Sequence, residues 1–136
     1  MKKYFLILAF GMVSVIAALY GISPAWFART FLGVNELSVN FAHILRAVMC
    51  LYLGLGLFWL CAAFSDKHRN TAVLTTIIFA GGLVIGRIVS YFADGPPAPL
   101  LIVYGVLEIT LVPIAYWVFT RPKDQPDLSP GAPHGR

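Results

Sequence analysis

The sequence predicts an all-α membrane protein: a bundle of four transmembrane helices, with a short interfacial helix between the first and the second. Three observations predict it. The chain is 59% hydrophobic and only 12% charged, about half the charge fraction of an ordinary soluble domain. Its apolar residues gather in four blocks, Tyr4 to Ile22, Phe41 to Phe64, Thr71 to Ala93 and Leu100 to Thr120. Each block reaches the ~20 residues that a helix needs to cross a ~30 Å hydrocarbon core. Finally, the basic residues flank these blocks mostly on one side. The organisation that follows is a single four-helix transmembrane domain over residues 1–120 and a disordered cytoplasmic tail over residues 121–136.

The first block follows Lys2 and Lys3, as in a signal peptide, but no small-x-small cleavage site comes after it and Pro24 lies where cleavage would fall. A retained first helix is expected. Ser23 to Asn40 is too long for a simple turn. Ser23-Pro24 reads as an N-cap followed by proline at the first helical position. Trp26, Phe27, Phe31 and Leu32 then form an apolar face opposite Arg29 and Thr30. This segment is either a short helix that lies in the membrane interface or folds over the bundle as a lid, or a hydrophobic loop packed on the bundle.

Asn40 is the expected N-cap of the second span. The short charged loop Ser65 to Asn70 makes the second and third spans antiparallel neighbours. The run Asp94-Gly95-Pro96-Pro97-Ala98-Pro99 breaks the helix between the third and fourth, because proline removes a donor and fixes φ. Pro113 predicts a kink in the fourth span. The tail, with four prolines after Thr120 and little hydrophobicity, has the composition of a disordered segment.

Charge sets the expected orientation. Lys2 and Lys3, Lys67 and Arg69, and Arg121 and Lys123 share one side, and Arg29 is alone in the two loops of the other. The positive-inside rule places both termini and the middle loop in the cytoplasm. Trp59 and Trp117 then mark cytoplasmic helix ends, and Trp26 the outer boundary. The net charge of +4 therefore reports on topology and gives no sign of nucleic acid. Cys50 and Cys61 are eleven residues apart in one predicted helix, or ~16 Å. That is too far for a disulfide, so both read as apolar packing residues. No CxxC, HExxH or CxxCH spacing is present and His43 is the one histidine inside a span. No metal and no cofactor is expected.

Three ionisable residues lie inside the spans: Arg46, Arg87 and Glu108. A charge at the centre of a membrane helix costs roughly 2.5–3.5 kcal/mol on insertion scales. From the outer helix ends, Arg46 and Arg87 are ~9 Å deep and Glu108 ~12–14 Å deep at 1.5 Å per residue. His43 stands one turn above Arg46, Ser90, Tyr91 and Asp94 continue the Arg87 face outward, and Tyr104 is one turn above Glu108. Three helices thus bring polar residues to one layer. Two arginines against one glutamate leave a positive charge unpaired unless Asp94 or Glu36 reaches in. Arginine keeps its proton, and its planar fork suits carboxylate and phosphate. A purely structural charge network is the competing reading.

Small residues at Gly54, Gly82 and Gly86, with Ser90 a turn beyond, are the expected helix-packing positions.

The runs Gly21-Ile22-Ser23-Pro24, Arg46-Ala47 leading into Tyr52-Leu53-Gly54-Leu55-Gly56, and Gly86-Arg87-Ile88-Val89-Ser90 with Asp94-Gly95-Pro96-Pro97, together with Glu108, resemble a bacterial membrane family, the domain of unknown function DUF4345. The resemblance covers nearly the whole chain up to Thr120. That family is similar to the broader DoxX-like group of four-helix membrane proteins, whose members include oxidoreductase-associated subunits and assembly factors or chaperones. The resemblance implies the four-helix fold, a bacterial inner-membrane location and the importance of Arg46, Arg87 and Glu108. It implies no activity.

The leading functional expectation is a non-enzymatic protein embedded in the lipid bilayer, binding an anionic or amphipathic small molecule or lipid in an outward-facing pocket. Arg46 and Arg87 would grip the anion and Glu108 would orient them, while His43, Ser90, Tyr91, Asp94 and Tyr104 would line the pocket. A second expectation is an assembly factor or accessory subunit, docking a membrane-protein partner on the Gly82/Gly86 face, or a homodimer. A third is a subunit of a membrane oxidoreductase.

Overall fold

The computed structural model describes residues 1–122. Four long helices, α1 (Lys2–Gly21), α3 (Val39–Ala63), α4 (Arg69–Asp94) and α5 (Pro99–Thr120), are long and apolar enough to cross a membrane. A four-residue helix, α2 (Pro24–Phe27), runs directly into a π-helical turn, Ala28–Leu32. No strand occurs among the described residues. The expected disorder of the tail lies outside the described residues from position 123 onward.

The helices overrun the apolar blocks by a few residues where polar side chains continue them. The cap of the second span lies two residues before the expected one. Ser38, not Asn40, is its N-cap, its hydroxyl accepting the Phe41 N–H at 3.2 Å. Pro24 occupies the first position of α2, as expected, although the Ser23 side chain makes no cap bond. The π turn ends at Gly33, whose φ of 69° lies in the left-handed region that glycine adopts without a Cβ penalty. α5 stays helical across Pro113. Cys50 and Cys61 are free, and both face outward from the bundle instead of packing in it.

The chain has two distinct ends. One, the terminal end, carries the start of α1, the 64–68 loop and the end of α5. The other, the loop end, carries α2 with its π turn and the 95–98 turn. α1 is the most buried span. Leu6, Ala9, Val13 and Ala17 line its inward face at helical spacing. It packs most closely on α3, and α4 packs most closely on α5. Large apolar side chains such as Leu8, Val15, Ile78, Ile85 and Phe92 point outward, as the surface of a membrane bundle requires.

Close approach of α1 and α3 depends on glycines other than those expected. A Cβ at Gly56 would lie 2.8 Å from Val13 Cγ1, and one at Gly21 would collide with the Met49 side chain. At Gly54, Gly82 and Gly86, by contrast, a Cβ would meet nothing within 4 Å. The three glycines singled out by spacing are therefore open, and helix contact within the chain runs through Gly21 and Gly56. The segment between α1 and α3 folds onto the bundle. Phe27 and Ala28 are fully buried, and the Phe27 ring meets Tyr20 edge-on at 4.9 Å.

Candidate functional site

The polar residues expected in one layer divide between two places at the loop end. The first is built on the α4–α5 hairpin. Arg87 donates twice to Glu108, Nε to Oε2 at 2.5 Å and Nη2 to Oε1 at 2.9 Å. This is the parallel fork geometry that makes Arg–carboxylate pairs strong. The side chains are 26% and 10% exposed, so the pair is desolvated and each charge depends on the other. Gly105, one turn outward from Glu108, makes room for it. A Cβ at Gly105 would touch Arg87 Cδ at 3.4 Å, so a larger residue would compete with the arginine stem.

Three buried tyrosines surround the pair. Tyr104 is the one expected from sequence. Tyr20 from α1 and Tyr52 from α3 join it, with ring centroids 5.9 Å from Tyr20 to Tyr104 and 6.1 Å from Tyr20 to Tyr52. The Tyr20 hydroxyl is close enough to the Arg87 guanidinium to interact with it. The buried Tyr104 hydroxyl has no hydrogen-bond partner among the described residues. Tyr20 and Tyr52 escaped the sequence reading because aromatics in apolar spans look like core. Their signal was the hydroxyl, which needs a polar neighbour when buried.

Outward from the pair, a groove of about 440 Å³ opens along α4. Gly82 and Gly86 form its floor, Arg87 its inner polar end, and Tyr91, Asp94 and Pro96 its rim. Ser90 donates to Asp94 Oδ2 at 2.8 Å. Asp94 has no basic partner among the described residues.

Arg46 and His43 are elsewhere. Both are exposed on α3 and line a separate cavity of about 330 Å³, together with Ser23, Pro24, Leu37 and Val39. Among the described residues Arg46 forms no ion pair and no hydrogen bond. The two arginines at similar depth therefore differ: Arg87 is neutralised inside the bundle, and Arg46 is a free cation at its edge. No group of three or more His, Cys, Asp or Glu placed to hold a metal occurs among the described residues.

A third polar cluster, at the terminal end, was not foreseen. Lys2 is only 7% exposed. Its ammonium donates to Asn70 Oδ1 at 2.8 Å and to the Phe119 carbonyl at 3.2 Å, joining α1, α4 and α5. The flanking-charge pattern had assigned Lys2 to topology alone.

No curated protein and no solved structure matches the chain. The profile of the family described as "Domain of unknown function (DUF4345)" matches residues 1–119, and with nearly all of its helical domain covered, the chain belongs to that family.

Proposed function

We propose that the protein is a multi-pass binding protein of the bacterial inner membrane that holds an anionic amphiphile at its loop end, which faces outward. The observation that carries this reading is the contrast between the two arginines. Arg87 has Glu108 as its counter-ion, and Arg46 has none among the described residues while lining a cavity of about 330 Å³. A guanidinium stays protonated, so a cation at this depth calls for an anion.

Phosphate and carboxylate both present paired oxygens that match the guanidinium fork. His43, one turn from Arg46 on the same face, adds a second donor, and Ser23 lines the same cavity. Leu37 and Val39 supply an apolar wall for the first methylene groups of a chain. A cavity of this size lies at the lower end of the range for small-molecule sites. The excess of basic residues at the terminal end supports the outward orientation of the loop end.

The test is native mass spectrometry of protein released gently from membranes, wild type beside Arg46→Gln. A discrete anionic adduct on the wild type that the variant lacks is the expected result. The same adduct on both proteins, or a clean apo mass for both, would refute the reading.

A further inference from the structure

The groove along α4 has the opposite electrostatic character. Its charged lining residues are Arg87 and Asp94, and the charge of Arg87 is already matched by Glu108. Counting Arg87 as +1 and Glu108 and Asp94 as −1 each leaves a net −1 beside the groove. The unmatched carboxylate is Asp94. It is the last residue of α4, where the negative end of the helix dipole makes a carboxylate unfavourable and a cation welcome. Ser90 holds it in place at 2.8 Å. Beside it, Tyr91 is 56% exposed, and its ring offers a π face of the kind that binds quaternary and lipophilic cations.

We propose that this groove is a second binding site, for a lipophilic cation: an ammonium or phosphonium group held by Asp94 and Tyr91, with its apolar body along α4 over Gly82 and Gly86. The volume, about 440 Å³, suits a drug-sized ligand. The absent Cβ atoms at Gly82 and Gly86 let that body lie against the helix backbone, where a Cβ would meet no other described part of the chain within 4 Å. The rim turn, with Pro96 and Pro97, is conformationally restricted and keeps the mouth open at little entropic cost. An anion is excluded here, because it would face Asp94 and compete with Glu108 for Arg87.

The site is distinct from the Arg46 cavity, so its test is independent of the anion reading. Tetraphenylphosphonium and tetraphenylborate have the same shape and opposite charge. Binding of each is measured to the full chain in lipid nanodiscs, with protein-free nanodiscs subtracted. Wild type should bind tetraphenylphosphonium saturably and show no saturable tetraphenylborate binding. Asp94→Asn, an exposed change that leaves the core alone, should weaken phosphonium binding about tenfold, the scale of one desolvated charge contact. Gly86→Leu, which fills the groove from a position with open space around it, should abolish binding. No saturable binding to wild type, equal binding of the two ions, or unchanged affinity in both variants would overturn the proposal. If Gly86→Leu reduces folded yield, Asp94→Asn alone decides. Unchanged affinity in that variant leaves the groove to an uncharged occupant, such as a partner helix, and the cation site is then wrong.

Discussion

The terminal end and the loop end of the bundle are built differently, and the difference separates the frame from the candidate site. At the terminal end the helices are cross-linked by polar bonds between elements. Lys2 ties α1 to α4 and α5. Trp59 Nε1 donates to Thr75 Oγ1 at 3.0 Å, tying α3 to α4, and Arg69 caps the Ala63 carbonyl at 3.1 Å. Buried alanines at 62, 63, 72 and 115 let the backbones approach. At the loop end, the Arg87–Glu108 ion pair links α4 and α5, cavities open beside Arg46 and along α4, and Arg46 and Asp94 stand without counter-ions among the described residues. Closed packing at one end supports an open, charged end at the other, the arrangement the proposed binding role requires.

The largest way to break this comparison is to break the ion pair. Replacing Glu108 by Leu leaves Arg87 buried without its partner, and the expected loss is about 3–5 kcal/mol of stability. The double variant Arg87→Leu/Glu108→Leu removes both charges and should lose much less than either single change. Thermal unfolding in nanodiscs measures all three. A double variant as unstable as the sum of the singles would show that the pair is not the connection between α4 and α5.

Glycine substitutions sharpen the contrast at an intermediate scale. Gly56→Ala drives a Cβ into Val13, at a cost of about 1–3 kcal/mol from overpacking. Gly86→Ala meets open space and should be neutral or stabilising by up to about 1 kcal/mol through helix propensity. Equal losses in the two variants would mean that Gly86 is packed against something in the membrane.

The smallest effect is expected at the frame itself. Lys2→Met keeps much of the apolar stem but removes the ammonium and both of its hydrogen bonds, and about 1–2 kcal/mol should be lost. The same change at Lys3, whose ammonium lies over the Phe64 ring at 4.5 Å, should cost less than about 1 kcal/mol. Comparable losses would make the Lys2 cross-link unimportant.

The spans were legible because a bilayer demands long apolar runs, and runs are visible in one dimension. The Ser38 cap was missed for a local reason: Ser38 and Asn40 are both good cap residues, and only the backbone geometry chooses. Depth was legible too, which is why Arg87 and Glu108 were expected at compatible levels. Azimuth was not. Gly54 and Gly56 differ by about 200° around a helix of 3.6 residues per turn, and hydropathy that is high on every side does not say which faces the neighbour. The same gap hid the separation of Arg46 from Arg87. Equal depth on two helices says nothing of whether their faces meet. Lys2 was hidden by its double meaning, since a lysine at a membrane edge satisfies the topology rule whether or not it is bonded.

The central claim is that Arg46 holds an anionic amphiphile, and the most direct measurement is thermal stabilisation by a defined ligand. Short-chain phosphatidic acid and phosphatidylcholine are added to wild type and to Arg46→Gln, and the unfolding midpoint is followed as each lipid is titrated. Binding to the folded state must raise the midpoint with ligand concentration. The account predicts a saturable rise with phosphatidic acid in the wild type, little with phosphatidylcholine, and none with either in Arg46→Gln. The same rise in wild type and variant would contradict it.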